Sequence, residues 1–132
     1  MPETICPVVH FEMPYVDSKR VTNFYQKVFG WKTQPMGEAM GNYIVVSTAE
    51  KDVKADVPRG AIGGGFFPRK PDWPEQHPSI VIAVQGIDAA IKKIKKEGGK
   101  VLGEPMMIPG VGLYVSFIDT EGNRVSILEP AM

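Results

Sequence analysis

His10 and Glu12 stand two residues apart in the run Val8-Val9-His10-Phe11-Glu12-Met13. In an extended strand, residues i and i+2 share a face, so this spacing sets an imidazole beside a carboxylate. Such a pair could move a proton, with Glu12 orienting the ring or acting as its acid/base partner. His10 could equally hydrogen-bond a bound molecule or hold a metal ion. The plainer reading is a polar pair in or at the rim of a semi-exposed cleft. His77 lies among Pro71, Pro74 and Pro78, where an exposed loop histidine is the simpler explanation. Gly63-Gly64-Gly65 is not followed by the Lys and Ser/Thr of a phosphate loop or by a helix, so a strand with close backbone approach is expected there. Tyr43, Phe67, Met106 and Tyr114 could line a pocket for an aromatic or amphipathic guest, because flat rings and flexible thioethers suit such ligands. Core packing or a dimer interface would explain any one of them equally well.

The elements that must position these residues occur twice. His10 and Ser79 are 69 positions apart, and so are Gly30 and Gly99; each pair opens and closes a strand followed by an amphipathic stretch. In the first copy, Val8 to Met13 alternates as a strand. A helix then starts at Asp17 or Ser18, carries Val21, Phe24, Tyr25 and Val28 at i, i+3, i+4 and i+7, and stops at Gly30. Trp31 to Met36, Tyr43 to Thr48 and Ala61 to Phe67 read as three further strands, with a turn around Gly37 to Gly41. In the second copy, Ser79 to Val84 is a strand and Ile87 to Glu97 a helix. Lys100 to Leu102, Leu113 to Ile118 and Arg124 to Leu128 complete the unit, with Asp119-Thr120-Glu121-Gly122-Asn123 as the last tight turn. The two copies, at about 7–68 and 79–130, flank a connector at 69–78; Pro68 to Pro78 has four prolines in eleven positions, a composition that suits neither helix nor central strand. The expected fold class is α+β: two tandem βαβββ modules forming an open, incomplete barrel within a single domain spanning 1–132. A ferredoxin-like split βαβ ranks second, because it leaves two strands of the first module unexplained.

Composition excludes several functions. Fifteen basic and fifteen acidic residues cancel, so no global field favours nucleic acid or an anionic membrane. The Lys92, Lys93, Lys95 and Lys96 cluster fills the solvent side of a helix whose other face is Ile87, Ala90, Ile91 and Ile94. No apolar stretch approaches the roughly 20 residues needed to cross a bilayer. A lone Cys6 provides no internal disulfide, and Pro2, Glu3 and Pro7 stand where a signal peptide would need a charged start and an apolar run. A cytoplasmic protein is expected, with a small molecule and a second copy of itself as partners.

His10 with Asp17, the helix end Phe24-Tyr25-Gln26-Lys27-Val28-Phe29-Gly30-Trp31 and the closing run Phe117 to Asn123 together resemble the vicinal oxygen chelate superfamily. That superfamily includes glyoxalase I, extradiol dioxygenases such as dihydroxybiphenyl dioxygenase, and the fosfomycin- and bleomycin-resistance proteins. Gly60 to Phe67 and Ile108-Pro109-Gly110-Val111-Gly112 are similar to its small bacterial glyoxalase/bleomycin-resistance-like members. The resemblance implies a concave sheet face on which metal-dependent members place ligands from the first and last strands of each module. Here those positions are His10, the stretch around Gly64-Gly65-Phe66, Ser79 and Ser126, so His10 is the one ligand position retained. Two serines beside one histidine are a poor set for a divalent ion. The reading is therefore a protein that binds a small organic molecule without a metal or other cofactor. His10 and Glu12 are the candidate reactive pair, and Tyr43, Phe67, Ser79, Met106, Tyr114 and Ser126 the candidate ligand contacts. The alternative is a metal-dependent lyase, isomerase or dioxygenase in which His10, Glu12 and His77 build a non-standard site. A third reading is a metal-free enzyme that moves protons through His10 and Glu12, so whether the chain is an enzyme stays open at this point.

Overall fold

The computed structural model describes residues 5–49 and 62–131. Strand β1 (Val8–Tyr15) leads into helix α1 (Ser18–Phe29), followed by β2 (Lys32–Pro35), β3 (Ile44–Ser47) and β4 (Gly64–Pro68). The second series is β5 (Ser79–Ala83), helix α2 (Ile87–Lys96), β6 (Lys100–Ile108), β7 (Gly112–Ile118) and β8 (Arg124–Pro130). The chain forms two compact units, one of His10–Pro78 and the other of the C-terminal series together with residues up to Val9. The Ala83 N–H donates to Pro7 O at 2.9 Å, which ties the first described residues to the C-terminal module. Ala61, where the sequence pattern starts the fourth strand, and Gly60 of the superfamily-like stretch lie outside the described residues; β4 begins at Gly64.

The two modules share topology and register. In the N-terminal one the strands run β2-β3-β4-β1, and in the C-terminal one β6-β7-β8-β5. Each inner pair is parallel, β1 with β4 and β5 with β8, and the remaining pairs are antiparallel. Glu12 pairs with Gly65 and Gly65 with Val45; Val81 pairs with Ser126 and Ser126 with Ser116. Glu12 and Val81, Gly65 and Ser126, and Val45 and Ser116 are therefore equivalent positions, and moving two residues back along the chain from Val45 and from Ser116 makes Tyr43 the counterpart of Tyr114.

In each module one sheet face is covered by the helix. Ile44, Val46 and Phe66 form the buried centre of the first, against Phe11, Met13, Val21, Tyr25 and Trp31. Val84, Ile87, Val115 and Ile127 form that of the second, against Ile91, Ile94 and Phe117 among others. Helix α1 is capped locally, the Arg20 N–H donating to Asp17 Oδ1 at 3.0 Å, and ends at Gly30 in the left-handed conformation, φ 72°. Its apolar stripe is only half used: Val21 and Tyr25 pack on the core, whereas Phe24 and Val28 are exposed. Tyr25 stacks on Trp31 at 4.7 Å between ring centres and reaches Phe66 at 5.5 Å.

Helix α2 has Gly86 at its N-cap and no local side-chain cap. Glu129 on β8 supplies one instead, accepting from the Ile87 N–H at 2.9 Å, where the helix dipole favours a carboxylate. Strand β6 runs on to Ile108, six residues past the end expected at Leu102. A break in register between Leu102 and Met106, with Gly103 at φ 81°, absorbs the irregular stretch. Pro105 is tolerated there because β6 is the outer strand of its module. The Asp119 turn forms as expected. The Asp119 carboxylate accepts from the Asn123 side chain at 3.0 Å and from the backbone N–H groups of Glu121 and Asn123 at 2.8 and 2.9 Å, bonds that hold it below the usual carboxylate range. The proline-rich connector is pinned by Gln76, which is 7% exposed and bonds to backbone groups of Lys70 and Trp73.

Candidate functional site

The sheet face away from helix α1 carries His10 and Glu12 from β1, with Tyr43 just before β3. The Tyr43 backbone oxygen accepts from the Met36 N–H at 2.9 Å, so the residue extends the β2–β3 ladder. Its hydroxyl lies 2.9 Å from His10 Nε2 and donates to Glu12 Oε2 at 2.9 Å. Imidazole, phenol and carboxylate thus form one continuous hydrogen-bonded chain. Glu12 is 8% exposed and His10 only partly buried. Burial lowers the His10 pKa from its ordinary 6.5 by penalising the charged ring.

Close backbone approach makes this chain feasible. A Cβ built on Gly64 would come within 2.5 Å of the Phe11 ring on the helix side, and one built on Gly65 would overlap the Tyr43 hydroxyl and ring on the other. The glycine run is the strand with close approach that its sequence context predicts.

In the C-terminal module the corresponding face carries hydroxyls. Tyr114 Oη lies 2.7 Å from Ser126 Oγ, and Ser116 Oγ lies 2.8 Å from the same atom. Ser126 is 2% exposed and Ser116 6%. Ser79 opens β5 half-buried, and Met106 is exposed on β6. Phe67 on β4 is half-buried, with its ring centre 6.2 Å from that of Trp73. The structure therefore gathers the predicted residues into two groups: His10, Glu12 and Tyr43 in one module, Tyr114 and Ser126 in the other. His77 stays in the connector, exposed, 3.6 Å from Glu75. Two participants are new. Ser116 could have been found from alternation, since it shares a strand face with Tyr114; the role of Gly65 has no signal until the register is known.

The sequence profile of the Glyoxalase/Bleomycin resistance protein/Dioxygenase superfamily matches residues 8–127. The chain belongs to this superfamily. Its fold is similar to that of a methylmalonyl-CoA epimerase from Mycobacterium tuberculosis, at 13% identity and TM-score 0.65 over 95% of this chain and 88% of that one. A Streptomyces coelicolor methylmalonyl-CoA epimerase variant in complex with 2-nitronate-propionyl-CoA gives 17% and 0.67 over 98% and 100%. A hypothetical protein from Bacillus halodurans C-125 gives 15% and 0.68 over 98% and 97%. At these identities the likeness carries the fold. No curated protein matches the sequence.

Many superfamily members use a divalent metal, and the donor set can be tested against one. Of the ligand positions that the resemblance points to, His10 is an imidazole, Gly65 offers no side chain, and Ser79 and Ser126 offer neutral hydroxyls. His10 Nε2 and Glu12 Oε2 are both engaged by the Tyr43 hydroxyl. Among the described residues no three His, Cys, Asp or Glu side chains gather. These residues do not fit a divalent ion, which normally takes three protein ligands of N, O or S type. No described helix is long and apolar enough to cross a membrane.

Proposed function

We propose that this superfamily member binds a small organic molecule against the His10–Tyr43–Glu12 face without a catalytic metal, as bleomycin-resistance proteins are understood to do. The observation that carries the reading is that hydrogen-bonded chain. Its phenol engages His10 Nε2 and Glu12 Oε2, while the partly accessible imidazole remains a directional polar contact. Such a site orients an organic ligand through one or two polar groups and takes its affinity from apolar contact. Phe67 is the nearest candidate for that contact, two residues past Gly65 on the same strand face; the ligand-contact role expected of Ser79, Met106, Tyr114 and Ser126 is a separate proposal for the C-terminal module taken by itself. The homodimer and the cytoplasmic location expected from composition and resemblance belong to the same proposal, and light scattering checks the first.

Calorimetry of the full chain in excess EDTA, against acyl-CoA thioesters, aromatic antibiotics and hydroxylated aromatic metabolites, tests the reading. The structural neighbours' name puts acyl-CoA thioesters first in that panel. Binding should persist in EDTA and weaken about tenfold or more, ~1.4 kcal/mol, in His10→Ala. Binding that appears only after addition of Zn, Mn, Ni or Fe would overturn it.

The same chain of bonds favours a second reading, metal-free proton transfer between His10 and the ligand with Glu12 behind Tyr43. That reading requires a turnover that survives EDTA and disappears in His10→Ala.

A further inference from the structure

Tyr43 has one hydroxyl proton, and its two partners constrain where that proton lies. A carboxylate oxygen only accepts, so the hydroxyl donates to Glu12 Oε2 and must accept from His10 Nε2. Neutral imidazole carries a single N–H. With that proton on Nε2, Nδ1 is left as an acceptor. The direction of two hydrogen bonds thus fixes the tautomer of a partly accessible histidine.

The C-terminal module indicates why the phenol can reach so far. Tyr114 occupies the position of Tyr43, and its hydroxyl meets the hydroxyl of Ser126, the counterpart of Gly65. At Gly65 there is no side chain to meet, and a Cβ would overlap the Tyr43 hydroxyl. The phenol therefore crosses β4 and reaches the two polar residues of β1.

We propose that Gly65 is a positioning residue: by carrying no side chain it lets the Tyr43 hydroxyl pass over β4 and lock His10 as its Nε2–H tautomer, so that Nδ1 accepts a hydrogen bond from a ligand bearing a hydroxyl or N–H group. This deepens the binding reading above by naming the ligand chemistry, but its first test needs no ligand, so the two can fail separately.

Full-length protein carrying ¹⁵N-labelled histidine answers the question by two-bond ¹H–¹⁵N correlation at about pH 8, well above the ordinary histidine value of 6.5. The chain has two histidines, and a His77→Gln variant assigns the signals. His10 should show one protonated, pyrrole-type nitrogen at Nε2 and one pyridine-type nitrogen at Nδ1. Tyr43→Phe should move both resonances toward the tautomer average, and Gly65→Ala should do the same by turning the phenol aside. A wild-type signal already averaged, a protonated Nδ1, or a Tyr43→Phe spectrum unchanged from wild type each overturns the lock. A Gly65→Ala variant that keeps the wild-type pattern overturns the role of Gly65. Should Gly65→Ala alone not fold, Tyr43→Ala in the same chain should restore folding by removing the overlap; a double variant that also fails overturns that role. For ligand chemistry the probes are phenol and anisole, the same ring with and without the donor. Phenol should shift Nδ1 and anisole should not, whereas equal shifts, or none with phenol, overturn the acceptor assignment.

Discussion

The N-terminal and C-terminal modules have the same strand order, the same parallel inner pair and the same register, yet they do different things with the face turned from the helix. In the first, Glu12 and Gly65 sit where the second has Val81 and Ser126. The exchange is nearly complementary. One module has a carboxylate on its first strand and no side chain on its last, the other an apolar residue on its first and a hydroxyl on its last. With Gly65 the tyrosine joins a charged network, and with Ser126 it closes a small neutral one against Ser116. A duplicated scaffold can therefore keep its backbone bonds and change its chemistry by altering which side chains a single tyrosine meets.

The helix side provides the largest contrast. Phe66 and Ile127 are equivalent and buried, at 0% and 3% exposure. Phe66→Ala should cost about 3–5 kcal/mol in urea unfolding, because Tyr25 and Trp31 cannot close the gap, whereas Ile127→Val should cost about 0.5–1.5 kcal/mol. Equal losses would mean that the aromatic cluster has no more stake in the N-terminal core than one methyl group has in the other.

The polar faces should separate by less. Tyr43→Phe removes a donor from the buried Glu12 carboxylate and should cost about 1–3 kcal/mol, the range for a buried charged group that loses a partner. Tyr114→Phe leaves Ser126 bonded to Ser116 and should cost about 0.5–1.5 kcal/mol. If Tyr114→Phe proves the more damaging, the two networks are not the charged and neutral versions described above.

The smallest expected effect is a pH dependence below the ordinary histidine value that belongs to His10 in the N-terminal module. His10 has a folded pKa below its ordinary 6.5 through burial, so the unfolded chain takes up the proton first as pH falls. The stability tied to neutral His10 is complete above about 6.5 and declines as pH drops from there toward the lower folded value. The gap in stability between wild type and His10→Gln should change over that window and stay level above it. A gap that is flat throughout removes this term.

Much of this architecture was legible in the residues. The 69-residue spacing, Asp17 and Gly30 marked the repeat and the first helix, and alternation set His10 beside Glu12. Ser126 was legible as the last-strand position that the superfamily resemblance points to. The end of β6 was hidden because Gly103 and Pro105 read as strand breakers, and only an outer strand forgives both. The bond between Tyr43 and the His10–Glu12 pair was hidden for another reason. It joins residues more than thirty positions apart, through a gap left by Gly65, and a missing side chain carries no periodic signal.

The two helices also differ in when they can be completed. Asp17 immediately precedes the helix it caps, so this bond can form as soon as α1 has been made. The group that caps α2 is Glu129, 42 residues downstream of Ile87, so that bond must wait until β8 has been made. A nascent chain can thus cap its first helix early, whereas the second has no side-chain cap until the last strand of its module arrives.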